Sequence, residues 1–252
     1  MRNLIIGVAA AVMAMAAPGL ASADVRATVG AQYAHQDFGH GDNADVVGLN
    51  GAFNDDFGNG WTLQGDGVSN RVDFGSGPAE GFGYGAVSAG VRNDQWAAYG
   101  YVGLADGSFI PSTSEIGIGG QLYFNNITLD GSFSYADIDG AHSNPTDISV
   151  DGSYFFNDNF DVTARYSHID TDGFTGDDNF NVYGVAAEYR FANSPVSVNL
   201  CYSHADTNPD SSNTWTVGVK MDLGSDSLRD RSTHGPSWNG AGSFFTDLLG
   251  TL

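Results

Sequence analysis

Residues Asn159–Phe191 read NFDVTARYSHIDTDGFTGDDNFNVYGVAAEYRF. Phe160, Val162, Ala164 and Tyr166 alternate with Asp161, Thr163, Arg165 and Ser167. A period of two is the mark of a strand whose two faces meet different environments. A polar break rich in Asp and Gly, Asp170–Asn179, follows. Tyr183, Val185, Ala187, Tyr189 and Phe191 then alternate with Gly184, Ala186, Glu188 and Arg190. The stretch is a hairpin of two aromatic-edged strands of about ten residues, the length a tilted strand needs to cross a bilayer.

The rest of the chain repeats this unit. Upstream, apolar-alternating runs occupy Val25–Tyr33, Val47–Phe53, Trp61–Val68, Trp96–Leu104, Ile116–Phe124, Ile127–Tyr135 and Ile148–Phe156. Downstream lie Val196–Tyr202 and Trp215–Leu223. Phe82–Val91 is a further strand, too rich in Gly and Ala for its faces to be told apart. The count is about twelve strands of membrane-crossing length. Long polar breaks (Gln36–Asp45, Ser69–Gly81, Asp106–Ser114, Asp137–Thr146, Asp170–Asn179, Asp206–Ser212) alternate with tight turns such as Asn125-Asn126 and Asn157-Asp158-Asn159. A soluble sandwich also has many short strands but no reason to sort its loops by length. A membrane barrel does, with short periplasmic turns and longer outer loops. An even strand count then puts both ends of the barrel on the periplasmic side.

Aromatics agree. Phe53, Trp61, Trp96, Phe124, Phe156, Phe160 and Phe191 lie near the short turns, and Tyr33, Tyr135, Tyr202 and Trp215 nearer the long breaks. Two such rings are the interfacial girdles of a membrane barrel.

The N-terminus sets the compartment. Arg2, the apolar stretch Leu4–Met15 and the small residues Ala21-Ser22-Ala23 read as a secretory signal peptide over 1–23. No later run has the roughly 18 apolar residues of a spanning helix. The leader takes one of the nine basic residues and none of the 30 acids, leaving a net charge of about −22. Such a charge excludes a nucleic-acid binder, which needs basic patches. Cys201 is the only cysteine, so no intrachain disulfide forms.

The signal peptide, the aromatic-edged hairpins and the closing strand Trp215–Leu223 resemble Gram-negative outer-membrane β-barrels of the porin-like group. The likeness spans Asp24–Leu223. It implies an all-β, antiparallel up-and-down transmembrane barrel in the cell outer membrane, inserted by the barrel-assembly machinery among lipid and lipopolysaccharide, and passive transport. One departure stands out. Such barrels commonly end at an aromatic in the last strand, whereas here residues 224–252 continue as a tail whose only Lys or Arg residues are Arg229 and Arg231. Lumen, periplasm and an unstructured state are all open to it.

The inward faces carry the candidate pore lining: Arg26, Asp66, Asp130, Asp151, Asp161, Arg165, Glu188, Arg190, Lys220 and Asp222. Charges are costly facing lipid and natural facing water, and a ring of them filters ions by sign. A closed Arg–Asp network filling the lumen is the competing reading.

Tyr166-Ser167-His168 and Tyr202-Ser203-His204 invite a Ser–His hydrolase reading. Period two turns each Ser and its His to opposite faces, so the expectation is no enzyme, with both His on the lipid side. Asp170, Asp172, Gly173, Asp177 and Asp178 lack the spacing and terminal Glu of a calcium loop. No phosphate loop, zinc spacing or dinucleotide fingerprint occurs, and no cofactor is expected. The function expected is a channel for small hydrophilic solutes or ions, cation-preferring because of its acidic loops. A non-conducting adhesive or structural barrel using its acidic loops is the alternative, and a hydrolase a more distant one.

Overall fold

The computed structural model describes residues 25–39, 41–75, 77–140, 144–171, 179–207 and 210–248. The segment read as a signal peptide and most of the Asp170–Asp178 loop lie outside them. Twelve strands run in chain order: β1 (Val25–Asp37), β2 (Asn43–Asp56), β3 (Trp61–Asp73), β4 (Glu80–Arg92), β5 (Trp96–Gly107) and β6 (Thr113–Phe124). They continue as β7 (Ile127–Ile138), β8 (Thr146–Asn157), β9 (Phe160–Asp170), β10 (Asn179–Arg190), β11 (Val196–Thr207) and β12 (Asp210–Leu223). Each pairs antiparallel with its sequence neighbours, and β1 pairs with β12 from Ala27↔Leu223 to Asp37↔Asn213. Closure leaves no sheet edge, so the backbone bonds of the wall are satisfied within it, as a bilayer requires.

The strands are 11 to 14 residues long, longer than the apolar runs indicate. The break read at Asp206–Ser212 is mostly strand, since β11 reaches Thr207 and β12 begins at Asp210. A ladder hydrogen bond needs no apolar side chain, so strands continue beyond the lipid-facing band into polar residues.

Outward positions are apolar and open to the surroundings, as at Val47, Leu49, Val102, Leu104, Ile116, Ile118, Val217 and Val219. Trp61, Trp96, Phe124, Phe156 and Phe191 are exposed near the short turns, and Tyr33, Tyr135 and Trp215 toward the other end. The rings meet across strands, Phe156 stacked on Phe160 at 5.3 Å and Tyr202 tilted against Trp215 at 4.8 Å.

The faces of β4 are now clear. Phe82, Tyr84, Ala86 and Ser88 are buried inside the barrel. Tyr84 lies over Gly103, Tyr101 over Gly117 and Tyr99 over Gly119, each so close that a Cβ on the glycine would come within 2.4 Å of the ring or its hydroxyl. The three tyrosines therefore lie flat on the β4–β6 wall, which leaves room in front of them.

The C-terminal segment takes that room. Gly224, at φ +86, turns the chain out of β12. Helix α1 (Leu228–His234) follows, capped by the Ser227 side chain, which accepts from the Asp230 N–H at 3.0 Å. Helix α2 (Ser243–Leu248) ends the described chain. Leu228, Trp238, Phe244 and Phe245 are all buried inside the barrel.

Candidate functional site

The site is the lumen, and the tail divides it into levels. At the periplasmic end, Arg231 of α1 forks onto Glu188 at 2.7 and 2.8 Å and approaches Asp222 at 3.2 Å. Lys220 reaches the same Glu188 at 3.1 Å, and Ser197 donates to it. Thr28 donates to Asp222 at 2.8 Å, while Arg26 pairs with Asp230 at 2.7 Å. Burial works against the Arg231 charge, but Glu188 and Asp222 outweigh it and hold the guanidinium above its ordinary pKa. Burial likewise works against the Asp230 carboxylate. Hydrogen bonds from His234, Arg26 and the Asp226 N–H overcome it and keep the group well below the usual carboxylate range.

Along β2, β3, β4 and β6 the barrel grips the tail backbone. Gln64 donates to the Trp238 carbonyl at 3.0 Å and accepts from its N–H at 3.1 Å. Gln121 donates to Ser237 O at 2.7 Å, Arg92 to Gly235 O at 3.0 Å and Asn54 to His234 O at 2.8 Å. The Trp238 ring stacks on Tyr99 at 4.6 Å and 4°, with the Arg92 guanidinium 4.8 Å from its centroid. Higher up, Gly240 N–H donates to Tyr99 OH and Gly242 N–H to Glu115, both at 3.2 Å.

The outer end is packed and apolar. Phe244 and Phe245 sit among Phe82, Tyr84, Ile138, Ile169, Phe180 and Val182. Ser243 donates to Asp147 at 2.7 Å, as does Ser167. All twelve strands contribute buried inward residues at this level, from Ala34 on β1 and Val46 on β2 to Thr214 on β12.

Between the charged collar around Arg231 and the packed end remains a cavity of about 340 Å³, within the range of small-molecule sites. Of the ten lining residues expected from sequence, Asp66, Asp130, Asp151, Asp161, Arg165, Glu188 and Lys220 border it. Arg26, Arg190 and Asp222 do not. They belong to the collar, with Arg190 at 3.6 Å from Asp222. Asp130 and Asp151 are direct cross-strand partners, and Arg165 stands 3.5 Å from Asp151. Sequence reasoning missed Glu115, Asp147, Arg92 and the inward tyrosines. Strand parity could have found them, since Tyr99 and Tyr101 alternate with the outward Trp96, Ala98 and Val102. Ser167 points inward to Asp147, whereas His168 lies outside against Asn181.

The sequence matches the profile of the Gram-negative porins over residues 19–227, most of the chain. This chain belongs to the Gram-negative porins. Solved barrels share its fold. The NanC porin aligns at TM-score 0.62 and 13% identity, covering 77% of this chain and 100% of that one. The KdgM porin in complex with disordered oligogalacturonate aligns at 0.55 and 11%, covering 77% and 98%. The CymD monoaromatic hydrocarbon channel aligns at 0.52 and 7%, covering 85% and 92%. No curated protein sequence matches it. The porin is thus an outer-membrane barrel with a channel-type architecture, and its own C-terminal segment stands in the lumen.

Proposed function

We propose that this porin passes small hydrophilic solutes or ions by passive diffusion, with cations preferred, and that residues 224–252 set how far the lumen is open. Nothing is chemically transformed. The observation that carries the reading is the cavity and what covers it. Five carboxylates (Asp66, Asp130, Asp151, Asp161 and Glu188) border it against three cations, Arg165, Lys220 and Arg231. One of those cations, Arg231, belongs to the tail itself. Removing the tail therefore both widens the path and makes its lining more acidic, which favours cations. The ladder from β1 to β12 closes without any tail residue, so the truncated barrel keeps its wall.

Planar-bilayer conductance of the refolded mature chain under a salt gradient tests this. The expected result is small or rare steps for the full chain. Larger steps with a cation-selective reversal potential are expected when 224–252 are deleted. Silence from both folded proteins overturns transport and favours a second reading, a closed structural barrel, which the packed outer end supports. Lipid and lipopolysaccharide surround the barrel in either reading, and insertion is assigned to the barrel-assembly machinery.

A further inference from the structure

The outer wall carries a motif that the channel reading does not use. Tyr33-Ala34-His35, Tyr166-Ser167-His168 and Tyr202-Ser203-His204 each place a Tyr and a His on the lipid side, two residues apart. In every case one oxygen of a cross-strand Asp or Asn binds both. Asp45 Oδ1 accepts from Tyr33 OH at 2.7 Å and meets His35 Nδ1 at 2.8 Å. Asn181 Oδ1 meets Tyr166 OH and His168 Nδ1, both at 2.9 Å. Asn213 Oδ1 meets Tyr202 OH at 2.7 Å and His204 Nδ1 at 3.0 Å. Each His is the register partner of its Asp or Asn.

The three hairpins, β9–β10, β11–β12 and β1–β2, are consecutive in the closed barrel. The triads thus recur every second strand, about 10 Å apart, at the ends of the strands that meet the outer leaflet. A girdle tyrosine needs only an apolar ring and a polar tip. That does not explain three copies of one three-residue hydrogen-bond geometry.

The geometry fixes the chemistry on offer. An Asp or Asn Oδ1 only accepts, so Nδ1 of each ring must carry the proton, and Nε2 is the nitrogen left for an outside partner. Protonated, it becomes a charged donor. No outward residue of β8–β12, β1 or β2 is Lys or Arg, so the imidazoles are this wall's only side chains that can carry positive charge. The groups facing them are Tyr33, Asp37 and Asp45 at His35, Tyr166, Tyr183 and Asp170 at His168, and Tyr202, Tyr183 and Asp206 at His204. These carboxylates repel an anion while the imidazoles are neutral. Flat aromatic rings beside amide and imidazole groups suit a sugar face and its hydroxyls.

We propose that the three triads form a row of sites for the phosphorylated sugar headgroups of an outer-leaflet glycolipid, engaged more strongly with the imidazoles protonated. The inference needs only the barrel's place in the outer membrane and is independent of conduction.

The test is native mass spectrometry of the full mature chain refolded with short-chain lipopolysaccharide, at pH 5.5 and 7.5. Wild type should retain the glycolipid, more at pH 5.5. The triple variant H35Q/H168Q/H204Q should lose about tenfold at pH 5.5, as expected for the loss of charge-assisted bonds, and lose its pH dependence. Should the triple variant fail to fold, the single variant His168→Gln is expected to show a smaller loss in the same direction. Equal retention by wild type and variant overturns the proposal. So does equal retention of dephosphorylated lipopolysaccharide. Equal retention of phosphatidylglycerol overturns the assignment to a sugar headgroup.

Discussion

The two ends of the tail are held by opposite kinds of chemistry. At the outer end, Phe244 and Phe245 bury their rings in an apolar layer built by β4, β5, β7, β9, β10 and β11. Burying such a side chain contributes roughly 1.5–3 kcal/mol and is not screened by salt as a charge pair is. At the periplasmic end, Arg231, Glu188, Asp222, Lys220 and Arg190 form a charge network. Buried ion pairs add little net stability, because desolvation offsets their attraction, but they are demanding about geometry. The apolar end therefore supplies most of the holding energy, and the charged end sets the register in which the tail enters.

That contrast is open to attack, and Cys201 is a built-in probe. It is a free thiol, buried on the lumenal side and bordering the cavity, so its labelling rate reports how often the tail lifts. The largest effect is expected from Phe245→Ala or Trp238→Ala, each costing about 3–5 kcal/mol of docking. Cys201 labelling should rise on the order of a hundredfold or more. An unchanged rate for both would mean that the apolar level does not hold the tail. Arg231→Gln comes next, at about 3 kcal/mol or somewhat less, since Lys220 still partners Glu188. Its labelling rate should fall between wild type and the aromatic variants. A larger effect than theirs would reverse the ranking of the two ends.

The smallest effect is that of acid. Asp230 has a depressed pKa in the fold, so its contribution is full above the unfolded value of about 4 and is lost as pH falls through the folded one. Channel openings of the full chain in a bilayer should therefore become more frequent below about pH 4, whereas the Phe245→Ala variant, already loosened, should respond less. Openings that stay equally rare as pH is lowered from 5 to 2 would contradict the sign.

Much of this was legible beforehand because strand parity is local. Period two placed Asp161, Arg165 and Glu188 on one face and Tyr183 and Val185 on the other, and all five stand there. The polar strand ends were misread as loops around Asp206–Ser212, because hydrophobic alternation marks the lipid band and not the ladder. The flat tyrosines were missed although strand parity turns them inward, because the Gly partner of each sits on a neighbouring strand. The triads were half-visible. The Tyr-x-His repeats can be read in the chain, but their Asp and Asn partners are found only once register is known.

Alternation, turn chemistry and composition thus sufficed for the number of strands, the membrane they cross and the charges that face inward, since each depends on neighbours one or two residues away. The tail was different. Its residues have no period to follow, and Trp238 is held by Gln64, 174 positions earlier. Whether the lumen is open or filled depends on such long-range contacts. They exist only after the barrel has closed and its inner wall has a shape to fit.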